Sequence, residues 1–292
     1  NISSYKKPSV FRNLKGFTAF ATIGAILCGI APMLSTCAAE QSRYQWKIPA
    51  EKVSTIDLSD WFRGYEGSFV LYDLNSDTWN VYDMEQATLR TSPNSTYKIY
   101  DALFGLEEGV IAPDNSFMAW DGTNHPFEAW NKNQDLSSAM QSSVNWYFQE
   151  IDKQIGRTAI QDYIRKIEYG NEIVNADLST YWMQGALKIS PVEQVELLTA
   201  LYNNPFDFAP ENINAVKNSI CLFSSENKNF YGKTGTGRVD GQDVNGWFVG
   251  FVEIDENTYF FTTNIQSNSN ATEHNATEIT KSILSDLNIW EY

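Results

Sequence analysis

Histidine is scarce in this chain: two in 292 residues, His125 and His274. No His-Glu-x-x-His and no Cys/His cluster is present, so the donor sets of a zinc site are missing and no metal is expected. A Ser-His-Asp triad would have to use one of these two histidines, and each sits in a polar, loop-like stretch. Cysteine is almost as rare. Cys28 and Cys37 lie in or beside an apolar N-terminal segment and Cys221 is far from both, which implies no disulfide framework. Positive charge is short too, with 21 Lys and Arg against 36 Asp and Glu. Four of those basic residues (Lys6, Lys7, Arg12, Lys15) precede residue 40, where no acid occurs, so the remainder carries 17 basic residues against 36 acidic ones. So acidic a body argues against nucleic acid and against an anionic membrane surface as partners. An anionic ligand would need a local cationic pocket.

Charge of either sign is absent from residues 16–39. The run 17–39 is long enough to cross a bilayer and reads as a transmembrane helix. The basic segment 1–16 before it and the acidic sequence after it place the N-terminus in the cytoplasm and the rest outside, single-pass. A cleaved signal peptide and a lipoprotein signal ending at Cys37 are the competing readings. The chain begins with Asn1, and a mid-protein span would fit a longer protein. Residues 40–66 read as a linker with a short amphipathic piece, Ile56 to Phe62. Residues 67–292 form the main domain.

Within that domain, Ser68–Leu74 and Thr78–Asp83 read as strands joined by the turn signal Asn75-Ser76-Asp77. A helix is expected from Ser95, with Ile99, Leu103 and Leu106 at helical spacing. Further helices are expected over Leu136–Ile151, Thr158–Ile167 and Pro191–Tyr202, then strands over Asn229–Thr236, Asn245–Ile254 and Tyr259–Gln266, then a closing helix over Glu273–Leu287. Strands at both ends of the domain with helices between predict an α+β fold: one antiparallel sheet built from both chain ends, with a helical insert.

Chemistry concentrates at Ser95-Thr96-Tyr97-Lys98. A spacing of three puts Ser95 and Lys98 on one helical face. A serine hydroxyl becomes a nucleophile when a nearby base takes its proton, and a buried lysine with a lowered pKa can be that base. Alone, Ser-x-x-Lys signals little. Three further stretches stand with it: Ser143-Val144-Asn145, Tyr169-Gly170-Asn171 and Lys233-Thr234-Gly235-Thr236. In this order they resemble the serine penicillin-recognising proteins, in which such motifs line one cleft. Trp120-Asp121-Gly122, Tyr181-Trp182 and Gly246-Trp247-Phe248-Val249-Gly250 sharpen the resemblance to class D β-lactamases and to their relatives, the β-lactam-sensing domains of Gram-positive transmembrane sensor-transducers.

The resemblance, which covers about residues 60–290, implies a serine β-lactamase/transpeptidase-like fold and a role for each residue. Ser95 attacks the lactam carbonyl and is acylated. Lys98 is the base, N-carboxylated by CO2 or bicarbonate in class D enzymes; no other cofactor is implied. Trp182 covers it, and Ser143 relays a proton to the lactam nitrogen. Lys233, with Thr234 and Thr236, holds the antibiotic's carboxylate. Gly235 opens the strand edge, Ser95 and Thr236 offer oxyanion N–H groups, and Tyr169 lines the cleft. The resemblance also implies an N-terminal metallopeptidase domain in the full-length protein, joined through the 17–39 span. Asn145 departs from the hydrolases, which carry an apolar residue there. An amide beside Lys98 stabilises the uncarboxylated amine and leaves no base to activate water against the acyl-enzyme. A membrane-tethered extracellular β-lactam sensor is therefore expected, with a class D β-lactamase as the alternative and a D,D-peptidase or a non-catalytic binding module behind it.

Overall fold

The computed structural model describes residues 42–291. The segment 1–16 and the span expected over 17–39 lie outside the described residues; among the described residues no helix is long and apolar enough to cross a membrane. Seven strands make one sheet: β1 Val53–Thr55, β2 Glu66–Asp73, β3 Thr78–Tyr82, β4 Cys221–Ser224, β5 Lys228–Val239, β6 Gln242–Ile254 and β7 Asn257–Gln266. Their spatial order is β1-β3-β2-β7-β6-β5-β4. The early strand β2 lies beside the late strand β7, Glu66 opposite Gln266 and Asp73 opposite Tyr259. The fold is thus α+β, with the sheet assembled from both ends of the domain. Only β1, which runs parallel to β3, breaks the antiparallel pattern among the described strands.

Between β3 and β4 lie helices α1 Met84–Thr88, α2 Lys98–Glu107, α3 Leu136–Gln141, α4 Asn145–Ile155, α5 Arg157–Lys166, α6 Pro191–Asn203 and α7 Pro210–Ser219; α8 Glu273–Asp286 closes the domain. Strand side chains alternate between faces, and the two cores follow that period. Phe69, Leu71, Phe230, Phe248, Val252, Phe261 and Ile265 pack against Ala276, Ile279, Ile283 and Leu284 of α8. Val70, Tyr231, Trp247, Val249, Phe251 and Phe260 face the helical insert. The turn from β5 to β6 is Asp240-Gly241, both at positive φ, which suits a two-residue hairpin between Val239 and Gln242.

Several elements differ from expectation. The helix expected over Leu136–Ile151 is two helices, broken at Ser142–Val144, where Ser143 adopts a left-handed φ of 52°. Apolar residues keep helical spacing across the break, so periodicity hides it. Part of the stretch 40–66, read as a linker, is packed: Tyr44, Leu58 and Phe62 are buried, β1 joins the sheet, and the Tyr44 hydroxyl donates to Glu196 at 2.7 Å. Helices α1 and α7 and strands β1 and β4 were not foreseen; α1 has five residues and the strands three and four, whereas α7 is as long as α2. The nucleophile helix begins as a 3-10 turn over Asn94–Tyr97 and becomes α-helical at Lys98.

Candidate functional site

The segment carrying Ser95 is anchored from behind. The Ser92 carbonyl accepts from Asn94 Nδ2 at 3.1 Å, Asn245 Nδ2 at 2.9 Å and Trp247 Nε1 at 2.9 Å. Thr96 Oγ1 donates to the Pro93 carbonyl and accepts from Gln194 on α6. Gly235 of β5 packs so close that a Cβ there would stand 3.2 Å from both the Pro93 oxygen and the Ser95 nitrogen.

One turn on, Lys98 is fully buried. Its Nζ lies 2.9 Å from Ser95 Oγ, 2.8 Å from the Ser143 carbonyl, 2.9 Å from Ser143 Oγ and 2.6 Å from Asn145 Oδ1. The rings of Phe148 and Trp182 stand 5.5 and 5.2 Å away. Burial, then the charge of Lys233, push this ammonium well below the ordinary lysine range. A neutral amine has two N–H groups and one lone pair. The Ser143 carbonyl and Asn145 Oδ1 can only accept, so they take the two N–H groups and leave the lone pair to the hydroxyls of Ser95 and Ser143. That is the arrangement of a base beside its nucleophile. Asn145 is itself oriented, its Nδ2 donating to Met183 Sδ at 3.2 Å.

The break between α3 and α4 turns Ser143 inward, where its Oγ bridges the two lysines. Lys233 Nζ donates to it at 3.0 Å and to the Thr234 carbonyl at 2.9 Å. Burial lowers Lys233 to about 8, with Glu273 opposing the shift. Lys233, Gly235 and Gly237 share the face of β5 toward the nucleophile, whereas Thr236 points toward α8, its Oγ1 accepting from the Glu273 N–H at 2.9 Å.

Ser95, Ser143, Asn145 and Thr236 line a cleft of about 730 Å³, with Phe127, Trp130, Met183 and Arg238 on its rim. A groove of similar size between the loops around Asp121 and Asp177 carries acids but none of these motifs. Two expected site residues stand elsewhere. Tyr169 is buried in the core, its ring edge-on to Tyr97 and Tyr100, because the turn after α5 folds inward. Thr234 offers Lys233 its carbonyl and is not among the cleft-lining residues, although Thr236, two residues on and on the same face of the strand, is. Trp182 is the expected cover for Lys98, and its indole Nε1 donates to Asp152 Oδ2 at 3.0 Å. Asp152 on α4 also accepts from the Tyr181 hydroxyl at 2.7 Å, and it presses against Asp101 on α2. Both carboxyls are buried, and burial raises both pKa values. Sequence reasoning missed this acid pair; Met183 follows Trp182 in the stretch that carries the class D resemblance, but no role was expected of it.

Such a site has the groups that acyl transfer through a serine ester needs. The chain belongs to the penicillin binding protein transpeptidase domain family, which matches residues 68–285. Regulatory protein BlaR1 of Bacillus licheniformis is 41% identical over 270 residues, 92% of this chain and 44% of that protein. The methicillin resistance mecR1 protein of Staphylococcus aureus is 36% identical over 272 residues, 91% of this chain and 46% of that one. The chain thus spans about half the length of these relatives. The C-terminal domain of the Bacillus licheniformis BlaR penicillin-receptor superposes with a TM-score of 0.80 at 42% identity, covering 84% of this chain and all of that one. The class D β-lactamase BAT-2 gives 0.76 at 32% identity, with the same coverage.

Proposed function

We propose that this chain is the β-lactam sensor domain of a membrane sensor-transducer, acylated at Ser95 to form a long-lived adduct. The Lys98 lone pair takes the Ser95 proton as Oγ attacks the lactam carbonyl. Ser143 then passes a proton to the lactam nitrogen, the C–N bond breaks, and an ester remains on Ser95. Lys233 meets the antibiotic's carboxylate, a charge-assisted contact. The observation that carries the reading is Asn145 Oδ1 at 2.6 Å from Lys98 Nζ. It ties down the amine that would have to activate water, so the ester persists and serves as a signal. The names of the relatives, a regulatory protein and a penicillin receptor, support the same reading. Residues 17–39 would be the span, the described domain extracellular, and a metallopeptidase domain would precede this segment in the full-length protein. A class D β-lactamase is the second reading, favoured by the likeness to BAT-2.

The test is covalent labelling of the full chain with a fluorescent penicillin, with Ser95→Ala as control, followed by the decay of the label. A label that needs Ser95 and outlasts a cell generation is expected. Loss within seconds would establish the hydrolase instead, and absence of label would sink both.

A further inference from the structure

The class D resemblance implies a carbamate on Lys98. Its formation joins CO2 to the amine by a new N–C bond, releases one proton and leaves an anion whose two oxygens need donors. Beside the hydroxyls of Ser95 and Ser143, which can donate, the pocket opposes that group. The atoms around Nζ include two pure acceptors, the Ser143 carbonyl and Asn145 Oδ1, which would oppose carbamate oxygens. The aromatic walls are Phe148 and Trp182, and the single N–H they offer, Trp182 Nε1, is already given to Asp152.

Behind that wall stands an unneutralised acid pair. Asp101 is one turn from Lys98 on the same face of α2, and its charge is felt at Lys98. Neither Asp101 nor Asp152 forms an ion pair among the described residues, and both oxygens of Asp101 lack a donor. Two carboxyls in one dry pocket share a proton, as like charges there do not both ionise, so the pair holds at most one negative charge.

We propose that the Asp101–Asp152 pair keeps Lys98 a free amine, by holding the Trp182 N–H away from it and by setting a buried negative charge against the anion that carboxylation would create. Among the described residues Lys233 is the cation whose charge is felt at Lys98, and two of its three N–H groups are given to Ser143 Oγ and the Thr234 carbonyl. This device is separate from Asn145, which binds Lys98 from the other side of the break, and it deepens the sensor reading, on which it rests.

The experiment follows the full chain in ¹³C-labelled bicarbonate by NMR, together with the decay of the fluorescent penicillin adduct with and without bicarbonate. Wild type, Asp152→Ala and Asp152→Asn are compared. Wild type is expected to show no carbamate resonance and an adduct lifetime indifferent to bicarbonate. Asp152→Ala frees the indole N–H and breaks the pair, leaving Asp101 alone, which burial pushes toward its neutral acid form. It should gain the resonance and lose the adduct faster in bicarbonate by roughly a hundredfold, the lower range of a general base's contribution. Asp152→Asn keeps the shape and an acceptor for Trp182 while removing the charge, so it should gain a smaller bicarbonate dependence; if Asp152→Ala does not fold, this variant carries the test. A carbamate resonance in wild type overturns the proposal. So do variants that label at Ser95 and stay indifferent to bicarbonate. An unlabelled wild type overturns the functional reading instead, while the NMR spectrum still reports on the pocket.

Discussion

Two lysines meet at one serine in this cleft, and their surroundings differ. Lys98 is enclosed by two aromatic rings, two obligate acceptors and the nucleophile, and burial drives it toward the neutral amine. Lys233 is equally out of solvent, yet it lies on a strand edge beside Glu273, which holds its pKa up near 8. The first is pushed toward a base, the second is held closer to a cation. Glu273 raises both lysines; what sets Lys98 apart is its closer enclosure and the positive charge of Lys233 beside it.

The largest test of that contrast is Lys98→Ala. Removing the base should slow penicillin labelling of Ser95 by about 10²–10⁴-fold, and a drop under tenfold would give the base role to another group. Lys233→Ala should be gentler. Loss of a charge-assisted contact of about 1.5–3 kcal/mol predicts roughly 10–100-fold lower acylation efficiency. A β-lactam whose carboxylate is esterified should show no such difference between wild type and variant.

The pH profile separates the two lysines again. A cation with a lowered pKa is charged only below that value, so labelling should fall by about tenfold per unit above a pH of about 8 as Lys233 loses its proton. That falling limb should vanish in Lys233→Ala. The smallest effect is expected of Asn145→Val. It removes one of the acceptors that hold Lys98 and leaves the acid pair in place, so adduct decay should quicken by a few-fold, up to roughly tenfold. No change would mean that Asn145 does not govern the lifetime.

The candidate site residues were legible because each lies in a short motif whose spacing fixes its geometry. Ser95 and Lys98 share a helical face, and Lys233 stands on a strand. The long strands were legible from their alternation. What stayed hidden depends on tertiary contact. Asp101 and Asp152 lie on helices, where an acid is normally solvated, and only the packing of α2 on α4 joins them. Tyr169 looked like a cleft residue in its turn motif but is held in an aromatic cluster. The left-handed Ser143 has no local signature, since serine has no special tolerance for positive φ.

The close pass of Gly235 over the nucleophile also bears on how such a domain can adapt. A Cβ there would stand 3.2 Å from the Ser95 nitrogen, so the inner wall has room for no side chain at all. Phe127 on the opposite rim is 56% exposed and pressed by little. A lineage meeting new antibiotics could therefore explore substitutions along the rim, while the wall that presents the nucleophile stays closed to variation.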